Sequence, residues 1–220
     1  MQIHDMPQGS PEWLALRAQW PTASEFSNLI TPAKLQVSKS MGGYVARKLA
    51  EKWLGYPLES FGSGAMDQGT VREESAWTGY AAQYSVDIAR PGFIVADDGL
   101  SGCSPDGLIL AVERGLEIKC PQADTHVRYL LDGQLPDEYR LQVQGSMLVT
   151  GYQVWTFRSY CVHFPPFDLD VPRDEEVIAA LREGLEAYWS LFNEGWAALV
   201  AKNGGMDPAI ERAKQEAAQQ

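Results

Sequence analysis

Cysteine is scarce: Cys103, Cys120 and Cys161 are odd in number and form no CxxC pair. That argues against a disulfide framework and against a structural zinc site. The three histidines lie far apart and show no metal-ligand spacing. Any bound metal would therefore be held by oxygens, which suits Mg2+, with Mn2+ able to substitute. No apolar run reaches the length of a bilayer crossing, and no basic-then-apolar signal region opens the chain. The expectation is a soluble, cytoplasmic protein. There is no GxxxxGK[ST] phosphate loop, so a nucleotide-driven motor has no support. Internal repeats and long low-complexity linkers are also missing. A net charge of −11 argues against a generic basic nucleic-acid coat.

What is present is enough apolar and aromatic material for a sizeable core, at 45% hydrophobic with 7 Trp, 9 Tyr and 7 Phe in 220 residues. One domain is expected over 1–203, with a flexible tail at 204–220. Charge is unevenly spread. Asp168 to Glu194 holds eight acids and two bases, a local net of −6, whereas Lys34 to Lys52 holds five bases and one acid, a local net of +4. Such asymmetry fits one face turned to a polyanion such as DNA and another to solvent, although ordinary solvated helix faces give the same pattern.

The spacing predicts helices over 11–84. Pro11 to Ala18 is a short one. Thr22 is placed as an N-cap with Glu25 as its capping-box partner. Ser38 to Leu54 ends at Gly55 and Pro57, and Met66 to Tyr84 follows. From Ser85 the texture changes to a catalytic region at 85–161. It has strands within Val86 to Asp97, over Leu108 to Ala111 and over Leu116 to Cys120, then a helix at Tyr139 to Thr150 and a strand at Tyr152 to Cys161. Phe164 to Pro172 reads as extended, and 174–202 as a long amphipathic helix. The order implies a mixed α/β (α+β) domain with one central mixed β-sheet flanked by helices.

The informative stretch is Ser104-Pro105-Asp106-Gly107 followed by Gly115-Leu116-Glu117-Ile118-Lys119-Cys120-Pro121. Asp106 and Glu117 fall on neighbouring strands across a turn, which brings them side by side. Glu117 and Lys119 are two apart and share a strand face. Two carboxylates and a lysine suit phosphodiester hydrolysis. The acids hold a divalent cation that polarises phosphate and activates water, and the lysine orients that water or offsets charge. The Ile118 carbonyl is a further candidate ligand. A surface turn and a surface strand are the plain alternative, but apolar Leu116 and Ile118 beside Glu117 and Lys119 mark a half-buried strand.

These phrases resemble the PD-(D/E)xK nuclease superfamily, with its restriction-endonuclease-like core, and in their fuller form its lambda-exonuclease-like branch, the YqaJ-type viral recombinases. Glu12 to Arg17 with Thr22 to Glu25 resembles that family's N-terminal signature. Gly69 to Glu73 resembles its helical acidic motif, and Leu141 to Met147 its glutamine motif. The resemblance implies that Asp106, Glu117 and the Ile118 carbonyl bind metal, with Glu73 at or near a second position. Lys119 would be the catalytic lysine, and Gln142 would position water or phosphate. Arg17, Ser24 and Ser104 would form a 5′-phosphate pocket, and Trp13 a wedge at the duplex end. Each has a structural alternative: helix-surface charges for Glu73 and Arg17, local caps for Ser24 and Ser104, core for Trp13. Gln144 reads as a structural donor.

The resemblance implies a Mg-dependent 5′-to-3′ exodeoxyribonuclease acting on linear double-stranded DNA. It would leave a 3′ single-stranded tail for an annealing recombinase and assemble as a homotrimeric ring. The alternatives are another PD-(D/E)xK endonuclease or repair nuclease, or a non-catalytic DNA-end-binding module. The joint presence of Asp106, Glu117 and Lys119 speaks against the last.

Overall fold

A computed structural model describes residues 1–58 and 66–217, the side chains of 66–71, 215 and 216 excepted. Helix α1 (Pro11–Arg17) starts where the Ser10 side chain accepts from the Trp13 amide and proline fills the first turn. A 3-10 segment, Ala23–Asn28, follows. Thr22 precedes it without capping it by its side chain. Its hydroxyl instead donates to a Glu25 carboxylate oxygen at 3.1 Å, so the expected capping box is not formed. Helix α2 (Met41–Leu54) stops at Gly55, whose φ of +82° is the left-handed conformation glycine adopts without strain. It starts later than Ser38, because the Ser38 hydroxyl accepts from the Ser40 amide and holds a turn there. Helix α3 is Met66–Tyr84.

Among the described residues the strands form two sheets rather than the single expected one. Strands β1 (Gln2–His4), β2 (Phe93–Val95) and β3 (Gly102–Cys103) make an antiparallel sheet in that order. Strands β4 (Gly107–Ile109), β5 (Arg114–Lys119), β6 (Val154–Ser159) and β7 (Phe167–Pro172) make a mixed sheet, also in sequence order. The β5–β6 pair is parallel and its neighbours are antiparallel. A parallel pair needs a long crossover. Here it is α4 (Ala123–Asp132) and α5 (Asp137–Thr150). The strand expected to reach Ala111 stops at Ile109, where a 3-10 turn leads to Glu113 at φ +50°.

Helix α6 (Glu175–Lys202) is capped by Asp174, whose carboxylate accepts from the Glu176 and Val177 amides. The expected flexible tail is in part a helix, α7 (Pro208–Ala217). Arg212 ties it to α2 by donating to the Lys52 and Trp53 carbonyls at 2.6 and 2.7 Å. These are end-of-helix acceptors with no partner inside α2.

The main core lies between the mixed sheet and α2, α5 and α6, with Trp155, Phe157, Met147, Leu181 and Tyr188 fully enclosed. A second cluster packs Ala76 and Tyr80 of α3 against Leu116 and Ile118. The charge asymmetry is partly internal. Basic α2 packs on acidic α6, Lys52 lies over the Phe192 and Trp196 rings, and Lys48 is buried beside Glu51. Among the described residues, no helix is long and apolar enough to cross a membrane.

Candidate active site

Strand β5 sorts its side chains by alternation. Leu116 and Ile118 join the α3 cluster on one face. Gly115, Glu117 and Lys119 take the other. Gly115 is required there, because a Cβ would lie 2.2–2.3 Å from the Trp155 ring. Register sets the carboxylates. Gly107 pairs with Leu116, so Asp106, one residue before β4, is level with Glu117. The Asp106 Oδ2 accepts the Ile118 amide at 2.6 Å. A strand residue's N–H and C=O leave by the same edge, so the Ile118 carbonyl also turns toward Asp106.

Glu117 is 2% exposed. Its Oε1 accepts from Lys119 Nζ at 2.7 Å and from Gln142 Nε2 at 2.6 Å. Burial raises the Glu117 carboxyl and opposes the lowering by Lys119; the net direction is upward. Asp106 is raised well above the usual carboxylate range, first by burial and then by the charge of Glu117. Lys119 is held above the usual ammonium range: burial lowers it, but Glu117 and Asp106 outweigh that. One ammonium thus faces two carboxylates, a pocket that favours more positive charge.

Glu73 lies exposed on α3, near enough for its charge to raise Asp106 and Glu117. Among the described residues, however, no group of three or more His, Cys, Asp or Glu side chains converges in metal-binding geometry. The acids drawn together are Asp106 and Glu117, with Glu73 outside the pair. Side chains of the preceding motif positions, Gly69 to Val71, lie outside the described residues. Gln144 has the structural role expected of it, donating to the Pro172 carbonyl and accepting from the Asp174 amide, both at 2.9 Å.

Sequence reasoning missed Tyr139, whose ring lies 5.1 Å from Lys119 Nζ. Its spacing from Gln142 was the available signal, since residues three apart share a helix face.

Arg17, Ser24 and Ser104 come together around Trp13. The Arg17 guanidinium sits 5.2 Å over the Trp13 ring and donates to Ser24 Oγ at 3.1 Å. The Trp13 indole N–H is shared between Ser104 Oγ and the Gly92 carbonyl, both at 2.9 Å. Trp13 is only 7% exposed and packs with Phe93 and Val95. A wedge needs a ring free to enter DNA, so the wedge role is withdrawn: Trp13 is the buried floor under Arg17 and Ser104.

A sequence profile of the YqaJ-like viral recombinase domain matches residues 12–153, well over half the chain. Among curated proteins none matches. Among solved structures, LHK-Exo in complex with dAMP is 28% identical at a TM-score of 0.77, covering 89% of this chain and 98% of its own. The alkaline exonuclease LHK-Exo from Laribacter hongkongensis is 27% identical at a TM-score of 0.74, covering 96% and 99%. A phage-related exonuclease from Haemophilus somnus 129PT, at 12% identity and a TM-score of 0.66 over 82% of this chain and 96% of its own, shares the fold. Asp106, Glu117, Lys119 and Gln142 all fall inside the matched span, and the chain belongs to the YqaJ-like viral recombinase family, with a lambda-exonuclease-like nuclease fold of the PD-(D/E)xK type.

Proposed function

We propose that the protein is a divalent-metal-dependent exonuclease that degrades one strand of linear double-stranded DNA in the 5′-to-3′ direction. The observation that carries this reading is the pairing of half-buried Asp106 with buried Glu117, with Lys119 and Gln142 on the same Glu117 oxygen. The donor set fits a hard divalent cation, because a buried Glu117 carboxylate, a half-buried Asp106 carboxylate that it raises, and a carbonyl on the same edge are oxygen ligands in want of positive charge. Asp106, Glu117 and the Ile118 carbonyl would hold Mg2+, with Glu73 in support. Such an ion, when bound, supplies Lewis-acid polarisation and an acidified water.

The chain's own residues do the rest. Lys119 keeps a full positive charge on the catalytic face and offsets charge developing on a phosphate oxygen. Gln142 pins one Glu117 oxygen and so fixes the carboxylate's rotation. Tyr139 lies beside the ammonium and limits where it can swing. Arg17, Ser24 and Ser104 offer a guanidinium fork and two hydroxyls to a terminal 5′-phosphate. A terminal monoester carries more negative charge than an internal diester, so an arginine-based pocket selects it. The 3′ tail left behind would serve an annealing recombinase. A homotrimeric ring in the host cytoplasm would keep an acidic chain on DNA by enclosure.

The test is incubation with magnesium of 5′-phosphorylated linear duplex, 5′-hydroxyl duplex and closed circular DNA, with EDTA controls and salt held fixed. Loss of the 5′-phosphorylated strand from its 5′ end, sparing of circles and silence in EDTA are expected. Cutting of circles would replace this reading with an endonuclease, and inactivity on every substrate with a DNA-end-binding module.

A further inference from the structure

Beside Arg17 sits a group that simple charge logic would keep away from a phosphate site. Glu25 Oε2 is 3.6 Å from Arg17 Nη2, and the two side chains are 15% and 18% exposed. The same oxygen accepts from Thr22 Oγ1 at 3.1 Å and from the Tyr44 hydroxyl at 3.4 Å, and Oε1 meets the Arg47 guanidinium. A carboxylate fixed from so many sides does not swing away when another anion arrives. Burial raises its carboxyl, yet the cations around it leave the net direction downward, so it stays ionised.

The backbone behind Arg17 is fixed as well. Lys48, 4% exposed, donates to the Arg17 and Ala18 carbonyls at 3.4 Å each, where α1 ends. Arg17 is therefore held at its carbonyl by Lys48, along its guanidinium by the Trp13 ring, and at Nη2 by Ser24 and Glu25.

We infer that Glu25 is a positioning residue for end selection: it holds the Arg17 guanidinium against Ser24 in the orientation that receives a terminal 5′-phosphate. This rests on reading Arg17, Ser24 and Ser104 as that pocket. The cost is a negative charge near the ligand. The gain is that Arg17 does not have to be ordered at the moment of binding, and ordering a long side chain is a substantial entropic cost.

The two effects predict opposite signs. Were Glu25 only a nearby charge, its removal would strengthen the preference for 5′-phosphate. As a positioning group, its removal weakens that preference. The experiment compares Glu25→Gln, Glu25→Met and Arg17→Ala with the wild type. It reads the ratio of kcat/KM on 5′-phosphorylated and 5′-hydroxyl duplex. It also reads the affinity difference for the same two duplexes by fluorescence anisotropy in EDTA, at fixed salt. Losing this partly buried ion pair corresponds to a fall on the order of tenfold in both readouts for Glu25→Met. Glu25→Gln, which keeps one acceptor oxygen, should lie between; it carries the test alone should Glu25→Met fail to fold. An unchanged or larger 5′-phosphate preference in the Glu25 variants, with Arg17→Ala erasing it, overturns the inference and leaves the pocket standing. A preference unchanged in Arg17→Ala overturns the pocket, and the role of Glu25 with it.

Discussion

Replacing Lys119 by alanine separates the two things its ammonium does. In the folded protein it sits 2.7 Å from Glu117 Oε1, and Glu117 is 2% exposed. Lys119→Ala leaves that carboxylate with Gln142 as its remaining hydrogen-bond donor among the described residues. Breaking a fully buried pair from one side costs about 3–5 kcal/mol. The Lys119 side chain is 27% exposed, so water already screens part of the interaction, and ~2–3 kcal/mol is the appropriate scale. At this chain length each kcal/mol moves Tm by roughly 2–4 °C, so a fall of roughly 5–10 °C is expected in EDTA. Magnesium should recover more of that loss in the variant than it adds to the wild type, because the ammonium no longer shares the carboxylate. Turnover on linear duplex should still fall on the order of a hundredfold, the scale for one preorganised electrostatic group. Differential scanning fluorimetry across a magnesium series, with single-turnover hydrolysis, measures both. Unchanged melting with near-normal turnover, or loss of the magnesium-dependent shift, would refute the assigned geometry.

Asp106→Asn keeps an acceptor for the Ile118 amide and removes one of two mutually opposed charges; it should abolish hydrolysis without lowering Tm in EDTA, and measurable turnover would remove Asp106 from the metal site. Gly115→Ala places a Cβ against the Trp155 ring in a filled core, so a loss of about 1–3 kcal/mol in urea unfolding is expected, and a neutral result would contradict the packing. Trp13→Phe removes the indole donor to Ser104 and Gly92; ~1–2 kcal/mol of stability should go, and a selective defect at blunt ends with normal stability would restore the wedge role. The lowered carboxyl of Glu25 contributes stability present above its ordinary value near 4.5 and lost as pH falls through the lower folded value; acid titration of Glu25→Gln should show a shallower loss there than the wild type.

The candidate catalytic group was legible as a cluster because its parts are close in sequence. Asp106, Glu117 and Lys119 need only a short β4–β5 pair and strand alternation to converge. Elements that exist through distant partners were not legible. Strand β1 forms by pairing with β2, some ninety residues away, and so the division into two sheets stayed hidden. Helix α4 buries only His126 and Tyr129 fully, and among its polar neighbours they give little apolar rhythm, although Gly133 at φ +62° was a readable stop signal. Helix α7 reads as a polar tail until Arg212 meets the end of α2. For Trp13 the sequence left wedge and core both open, because a tryptophan on a short helix looks alike whether its indole faces solvent or Ser104.

The Asp106 carboxylate on the Ile118 amide has a kinetic consequence. It acts as one more rung of the β4–β5 ladder, made by a side chain where the strand has ended. The linking turn from Leu110 to Glu113 is short, and contacts so local close on about the microsecond scale of an isolated hairpin. Gln142, which arrives on α5, and the parallel partner β6 both require the longer crossover, whose closure is slower. The acidic pair is therefore expected to assemble early in folding and to be closed over late, with its charges still facing water in the interval, which phi-values at β4–β5 and α5 would measure.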